Sequence, residues 1–161
     1  MRYIKRFNEN NENFQEELQD FCETGLAYLL DDGVEVQVMD TTKILVLLDV
    51  KSKVKIKFDE AKSWDEVKDY IIPFLTRLNN KYELSRQVEN SKKDIRVHFS
   101  GVTGHIESIT TTIEDIINDN LEISQPLTHS DIPRITDLIF YIKGYKQPKK
   151  SILTKIKSFF K

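Results

Sequence analysis

The chain has almost no cysteine. Cys22 stands alone among 161 residues, so no intrachain disulfide can form and no cysteine pair exists for a zinc or iron–sulfur site. A reducing compartment is the natural setting. Long hydrophobic runs are missing as well: stretches such as Ile44–Leu48 are five or six residues, against the roughly 20 that a membrane-spanning helix needs. The opening MRYIKRFNEN is basic but leads into no apolar segment, so it does not read as a secretory signal, and a cytosolic protein is expected. Repeats and low-complexity segments are absent apart from the Asn/Glu-rich stretch at 8–13. The length suits one compact domain.

Charge of one sign is locally missing. Residues 8–42 hold ten acids and no base, whereas beyond Asp137 there are seven lysines and no acid. The formal net charge of −2 is therefore a cancellation, with −9 over residues 1–142 and +7 over the last 19. Such a total excludes neither a basic contact surface nor an acidic one.

Periodicity gives the elements. Phe14, Leu18, Phe21, Cys22, Gly25, Leu26, Leu29 and Leu30 recur at three- and four-residue steps and predict an acidic amphipathic helix that stops near Asp31-Asp32-Gly33. Cys22, on its apolar face, reads as a small core residue. Alternation then predicts a three-stranded meander from Val34–Met39, Lys43–Val50 and Lys51–Phe58. Ser63-Trp64-Asp65-Glu66 has the capping-box spacing, and Val67, Tyr70, Ile71, Phe74, Leu75 and Leu78 run down one face of a helix to Lys81, bent or divided by Pro73. Tyr82–Val88 and Asp94–Gly101 read as further strands. Ile106, Ile109, Ile113, Ile116 and Ile117 predict a helix, with the β-prone run Thr110–Thr112 near its start. Ser130 and Pro133 open a last helix with Ile132, Ile135, Leu138, Ile139 and Ile142 inward. Gly144 and Pro148 then set off a basic amphipathic helix whose stripe is Ile152, Leu153, Ile156, Phe159 and Phe160. The expected fold is α+β, an antiparallel sheet of four to five strands packed against helices. Residues 1–13 form a leader, 14–146 the domain, and 147–161 the basic appendage.

Candidate sites are few. Lys51, Lys53, Lys55 and Lys57 alternate along one strand and could track a nucleic-acid backbone, or simply form a solvated or protective edge. The tail could dock on a partner protein or a second copy, pack on its own domain, or meet a membrane surface or nucleic acid; at about 13 residues it needs a surface to stay helical. His98-Phe99-Ser100 matches the half-motif of two-histidine phosphoesterases, but neither His105 nor His129 is followed by a hydroxyl at the matching place. A metal site from these histidines with Glu107 or Asp131 lacks close ligand spacing, and Gly101-Val102-Thr103-Gly104 lacks the lysine of a phosphate loop. No catalytic residue, metal or cofactor is assigned.

The opening MRYIKRFNEN, the Asp31-Asp32-Gly33-Val34-Glu35-Val36 strand entry and the Trp64-Asp65-Glu66-Val67-Lys68-Asp69-Tyr70 helix start resemble small uncharacterised proteins of large tailed bacteriophages, over residues 1–84. That resemblance implies an α/β body and a phage setting, in the host cytoplasm or packaged in the virion. It carries no catalytic residue. In some phages a similar leader directs proteins into the prohead and is cleaved after a Glu two residues beyond an apolar side chain. Phe7-Asn8-Glu9 fits, with cleavage after Glu9; alternatively Tyr3, Ile4 and Phe7 pack on the domain as a helical turn. The expected function is a non-enzymatic phage protein acting through protein contacts, virion-associated or directed at a host protein. The alternatives are a nucleic-acid accessory using the lysine ladder and tail, and a His98-dependent phosphoesterase or nucleotide-binding anti-defence protein.

Overall fold

The computed structural model describes residues 2–42, 49–87, 91–100, 106–121 and 134–147, with side chains from residue 12 onward. It is an α+β fold, with a six-stranded antiparallel sheet and, among the described residues, four helices. Along the chain come α1 (Arg2–Gly25), α2 (Ala27–Asp31), β1 (Val34–Asp40), β2 (Ser52–Ser63), α3 (Trp64–Lys81), β3 (Tyr82–Ser85), β4 (Ile95–Ser100), β5 (Ile106–Thr111), α4 (Ile113–Ile117) and β6 (Arg134–Tyr145).

The sheet is built around its last strand. β6 pairs with β2 along one side; on the other it pairs with β4 near its start and with β3 near its end. Strands β3 and β4 thus run in line along one side of β6. Gln87 bridges the break: its N–H donates to Lys93 O, and its Nε2 to Asp94 O and Ile139 O. β1 and β5 flank the sheet on β2 and β4. Alternate residues Val34 and Val36, Val54, Ile56 and Phe58, Ile95 and Val97, and Leu138, Phe140 and Ile142 face one core. The inner stripes of α1 (Phe14, Leu18, Cys22) and α3 (Val67, Ile71, Phe74, Leu75, Leu78) cover it, joined by Ile113 and Ile116 of α4.

Local chemistry explains the boundaries. Gly33 turns the chain from α2 into β1 with φ of +85°, a conformation that suits residues without a Cβ. The N–H of Ser63 donates to Glu66 Oε2 at 3.2 Å, half of the capping box that starts α3. At Gly25 an added Cβ would lie 2.7 Å from Phe74 Cδ2, so this glycine allows α1 to lie close against α3. Trp64 Nε1 and Lys68 Nζ both donate to the Asp119 carboxylate, tying the start of α3 to the residues after α4.

Several expectations are corrected. The sheet has six strands instead of four or five. The expected last helix over Ser130–Ile142 is the central strand β6. Its spacing looked helical because a bulge between Ile135 and Leu138 shifts the inward set by one residue, and because Ile139 and Tyr141 make its outer face apolar too. Residues Ile106–Thr111 form β5, and only Ile113–Ile117 is helical, with the Thr112 side chain accepting from Asp115 N. The β-branched run Ile109–Thr112 decided that boundary. The strand after α3 stops at Ser85, and α3 continues through Pro73 without division. The expected strand over Lys43–Val50 falls mainly on 43–48, outside the described residues, as do His105, His129 and the tail 149–161 with Ile152, Leu153, Ile156, Phe159 and Phe160.

Candidate functional site

All described helices pack on one face of the sheet, and no described element covers the other. Cross-strand pairing lines that face up in rows. One row runs Gln37, Lys55, Ile139, Arg96, Thr110; the next runs Glu35, Lys57, Asp137, His98, Ser108; a third runs Met39, Lys53, Tyr141, Ser85. Because side chains alternate along each strand, the apolar positions of β2 bury themselves and send Lys53, Lys55 and Lys57 to this face together. Lys53, Lys55, Lys57, Arg96 and Lys143 stand there with Glu35 and Asp137, and the same alternation sends Asp59 of β2 and Glu83 of β3 to this side. Apolar and aromatic contact area lies among them at Ile139, Tyr141 and Met39, the last 48% exposed.

The fourth lysine of the expected ladder leaves the row. Lys51 precedes β2, and its Nζ stands 5.0 Å over the Phe14 ring on the helix side, where Gln15 Nε2 also donates to the Lys51 carbonyl. Arg96 and Tyr141 take part in the surface although the sequence did not single them out. Tyr141 was hidden by the helical reading of β6; the signal that could have revealed it is the unbroken run of β-branched and aromatic residues Ile139–Ile142, which favours a strand.

His98 is pinned at the centre. Its Nδ1 is in close contact with Asp137 Oδ1 across the β4–β6 pair, both side chains being largely shielded. A carboxylate there holds the ring orientation and leaves Nε2 for an outside partner. Opposite His98 on β5 stands Ser108, to which it makes no hydrogen bond, and neither cross-strand neighbour is a second histidine. Beside this pair the Arg96 Nε is buried without a hydrogen-bond partner, as is Thr136 Oγ1.

The opposite side of the molecule is acidic and grooved. Between α1 and α3 lies a groove of about 350 Å³, walled by Glu17, Asp20 and Thr24 on one side and by Arg77 and Lys81 on the other, with Phe21 between. Lys81 Nζ is 2.8 Å from Glu17 Oε1, and Tyr145 OH donates to Glu17 Oε2. These two hydrogen bonds hold the Glu17 carboxyl below the ordinary glutamate range, with the Lys81 bond the larger cause. Burial, followed by the Glu17 carboxylate, pushes the Tyr145 hydroxyl up to about 12. Cys22 is buried in the core, and burial pushes its thiol up to about 12, the state of an inert structural cysteine.

Glu9 lies on the described backbone of α1, with its side chain outside the described set. Among the described residues no group of three His, Cys, Asp or Glu side chains forms a metal site, and no helix is long and apolar enough to cross a membrane. Comparison with known proteins finds no matching family model, no matching curated protein and no matching solved structure.

Proposed function

We propose that this is a non-enzymatic contact protein whose working surface is the uncovered sheet face, and that its partner is an acidic protein surface. The observation that carries this reading is the composition of that face: Arg96, Tyr141 and Met39, the residue types that anchor protein interfaces, stand among the three outward lysines of β2. The central pair His98–Asp137 adds a fixed polar feature that gives register. In the setting that the opening sequence resembles, such a protein is a virion or head-associated component of a tailed phage, or a small factor acting on a host protein.

A second reading, binding of single-stranded nucleic acid, is favoured by one observation. Tyr141 lies directly opposite Lys53, giving the lysine row an aromatic ring on which a base could stack. Fluorescence anisotropy with a labelled single-stranded oligonucleotide, at low and physiological salt, separates the two. The protein-contact reading expects weak binding that is little changed in a Lys53→Glu/Lys55→Glu variant. Tight binding that falls steeply with salt and is lost in that variant would establish the nucleic-acid reading in its place.

A further inference from the structure

We infer that two copies of this chain associate edge to edge through β5, the two strands pairing antiparallel about a twofold axis at Ile109 and joining both sheets into one. The inference concerns the edge of the sheet and stands independently of the function proposed for its face.

The first argument is that β5 is an open edge. It ends the strand order, and among the described residues its one partner strand is β4. Side chains alternate between faces along a strand, so the exposure of Ile106, Glu107 and Ser108 in succession means that neither face of β5 is covered there. Ile106 is 69% exposed, a large apolar side chain left in water. The edge is also unguarded. Its six pairs with β4 run without a register break, whereas the pairings of β6 with β2, β3 and β4 all shift. β5 contains neither lysine nor proline. Bulges, lysines and prolines are the devices that keep edge strands from pairing with another chain.

The second argument is where the backbone groups point. Thr111 O accepts from Asp94 N at 3.0 Å, so this carbonyl points to the β4 side. Main-chain groups alternate sides along a strand. Ser108 and Thr110 therefore direct their N–H and C=O groups to the open edge.

Self-complementarity supplies the third argument and selects a second copy as the occupant. A twofold axis normal to the sheet keeps like faces together. With the axis at Ile109, that residue meets its own counterpart, and Ser108 of each chain exchanges main-chain hydrogen bonds with Thr110 of the other. Ile109 packs against the hydrophobic core, so the apolar layer continues across the axis. On the outer face hydroxyl stands beside hydroxyl, a favourable cross-strand pair. Glu107, the only charge on β5, comes opposite Thr111 of the second copy, so no like charges meet. An axis at Glu107 would set two carboxylates together. The backbone of Thr112 is still extended, with φ of −91° and ψ of 149°, and its side chain gives Ile106 of the other chain a neighbour. An isologous interface needs a strand that matches itself in this way. Such a ladder is small beside the roughly 1,200 Å² that stable interfaces bury, so the dimer exchanges with monomer on dilution.

Sedimentation equilibrium of the full chain over a wide concentration range tests this, and the mass should rise from one chain to two. In a Ser108→Lys/Thr110→Lys variant the new lysines face each other across the axis. Its dissociation constant should rise at least about tenfold, with the unfolding midpoint little changed. A mixture of Ser108→Cys chains with Thr110→Cys chains reports the register. Mild oxidation should link one of each, because Cα atoms of a hydrogen-bonded pair lie about 5.5 Å apart, within disulfide reach. The native Cys22 is buried and does not compete. The control is Ser108→Cys mixed with Met39→Cys, which is exposed on β1. A single-chain mass at every concentration, a dimer that the two lysines leave intact, or linkage no faster than in the control would each overturn the inference.

Discussion

At the scale of the residue, two carboxyls act in opposite directions. Asp94 Oδ1 accepts the Ile113 N–H at 2.7 Å and so anchors the first residue of α4. Burial, the largest cause, nevertheless raises its carboxyl above the ordinary aspartate value. The folded state therefore holds that proton more tightly, and stability falls as pH rises from the ordinary value through the raised one. An Asp94→Asn variant keeps the acceptor without the charge, so its urea midpoint should exceed that of the parent at neutral pH and converge with it in acid. Asp94→Ala strands the Ile113 N–H and should cost about 1–3 kcal/mol. Glu17 has the other sign. Its folded value is depressed, so its contribution is present above the ordinary glutamate value and is lost as pH falls through the lowered one. Being nearly half exposed, it is worth less than about 1 kcal/mol. The melting temperature of a Glu17→Gln variant should lie slightly below the parent at neutral pH, the gap closing on acidification. Neither pairing was legible in the sequence. Asp94 and Ile113 are 19 residues apart, Glu17 and Tyr145 128 apart, and only the sheet brings them together.

At the scale of the element, legibility followed how cleanly each segment separated its two faces. The stripe of α1 from Phe14 to Cys22 and the stripe of α3 from Val67 to Leu78 are polar on the outside, and both were readable as helices. β6 is apolar on both faces and carries a bulge, so its period of two was erased just where the chain forms the centre of the sheet. That error also concealed the surface: with β6 read as a helix, Asp137 could not be set beside His98 or Tyr141 opposite Lys53. Two substitutions check the strand assignment by thermal or urea unfolding. Leu138→Ala, fully inside the core, should cost about 2–5 kcal/mol. Ile139→Ala, on the outer face, should cost roughly half of that or less. On the helix side, Gly25→Ala should destabilise by about 1–3 kcal/mol, because its methyl group would meet the Phe74 ring and push α1 from α3.

At the scale of the whole molecule, the near-neutral charge is resolved into two surfaces. The acids of α1, α2 and the start of α3 lie on the helix side, while Lys53, Lys55, Lys57 and Arg96 lie together on the sheet face. The alternation of β2 made three of those four readable before any coordinates, and the departure of Lys51 toward Phe14 was not readable because it depends on how α1 crosses the start of the strand. Separation of this kind steers association and sets partner orientation more than it adds stability. Reversing Lys53 and Lys55 to Glu should thus leave unfolding within about 0.5 kcal/mol of the parent.

The most direct test of the contact face is site-specific photocrosslinking in the producing cell. A photoreactive residue is placed either at Lys55, in the middle of the sheet face, or at Asp69, exposed on α3. The account predicts a discrete protein adduct from position 55, sensitive to protease and suppressed by Lys53→Glu with Arg96→Glu, and none from position 69. Equal adducts from both positions, or an adduct from position 69 alone, would contradict it.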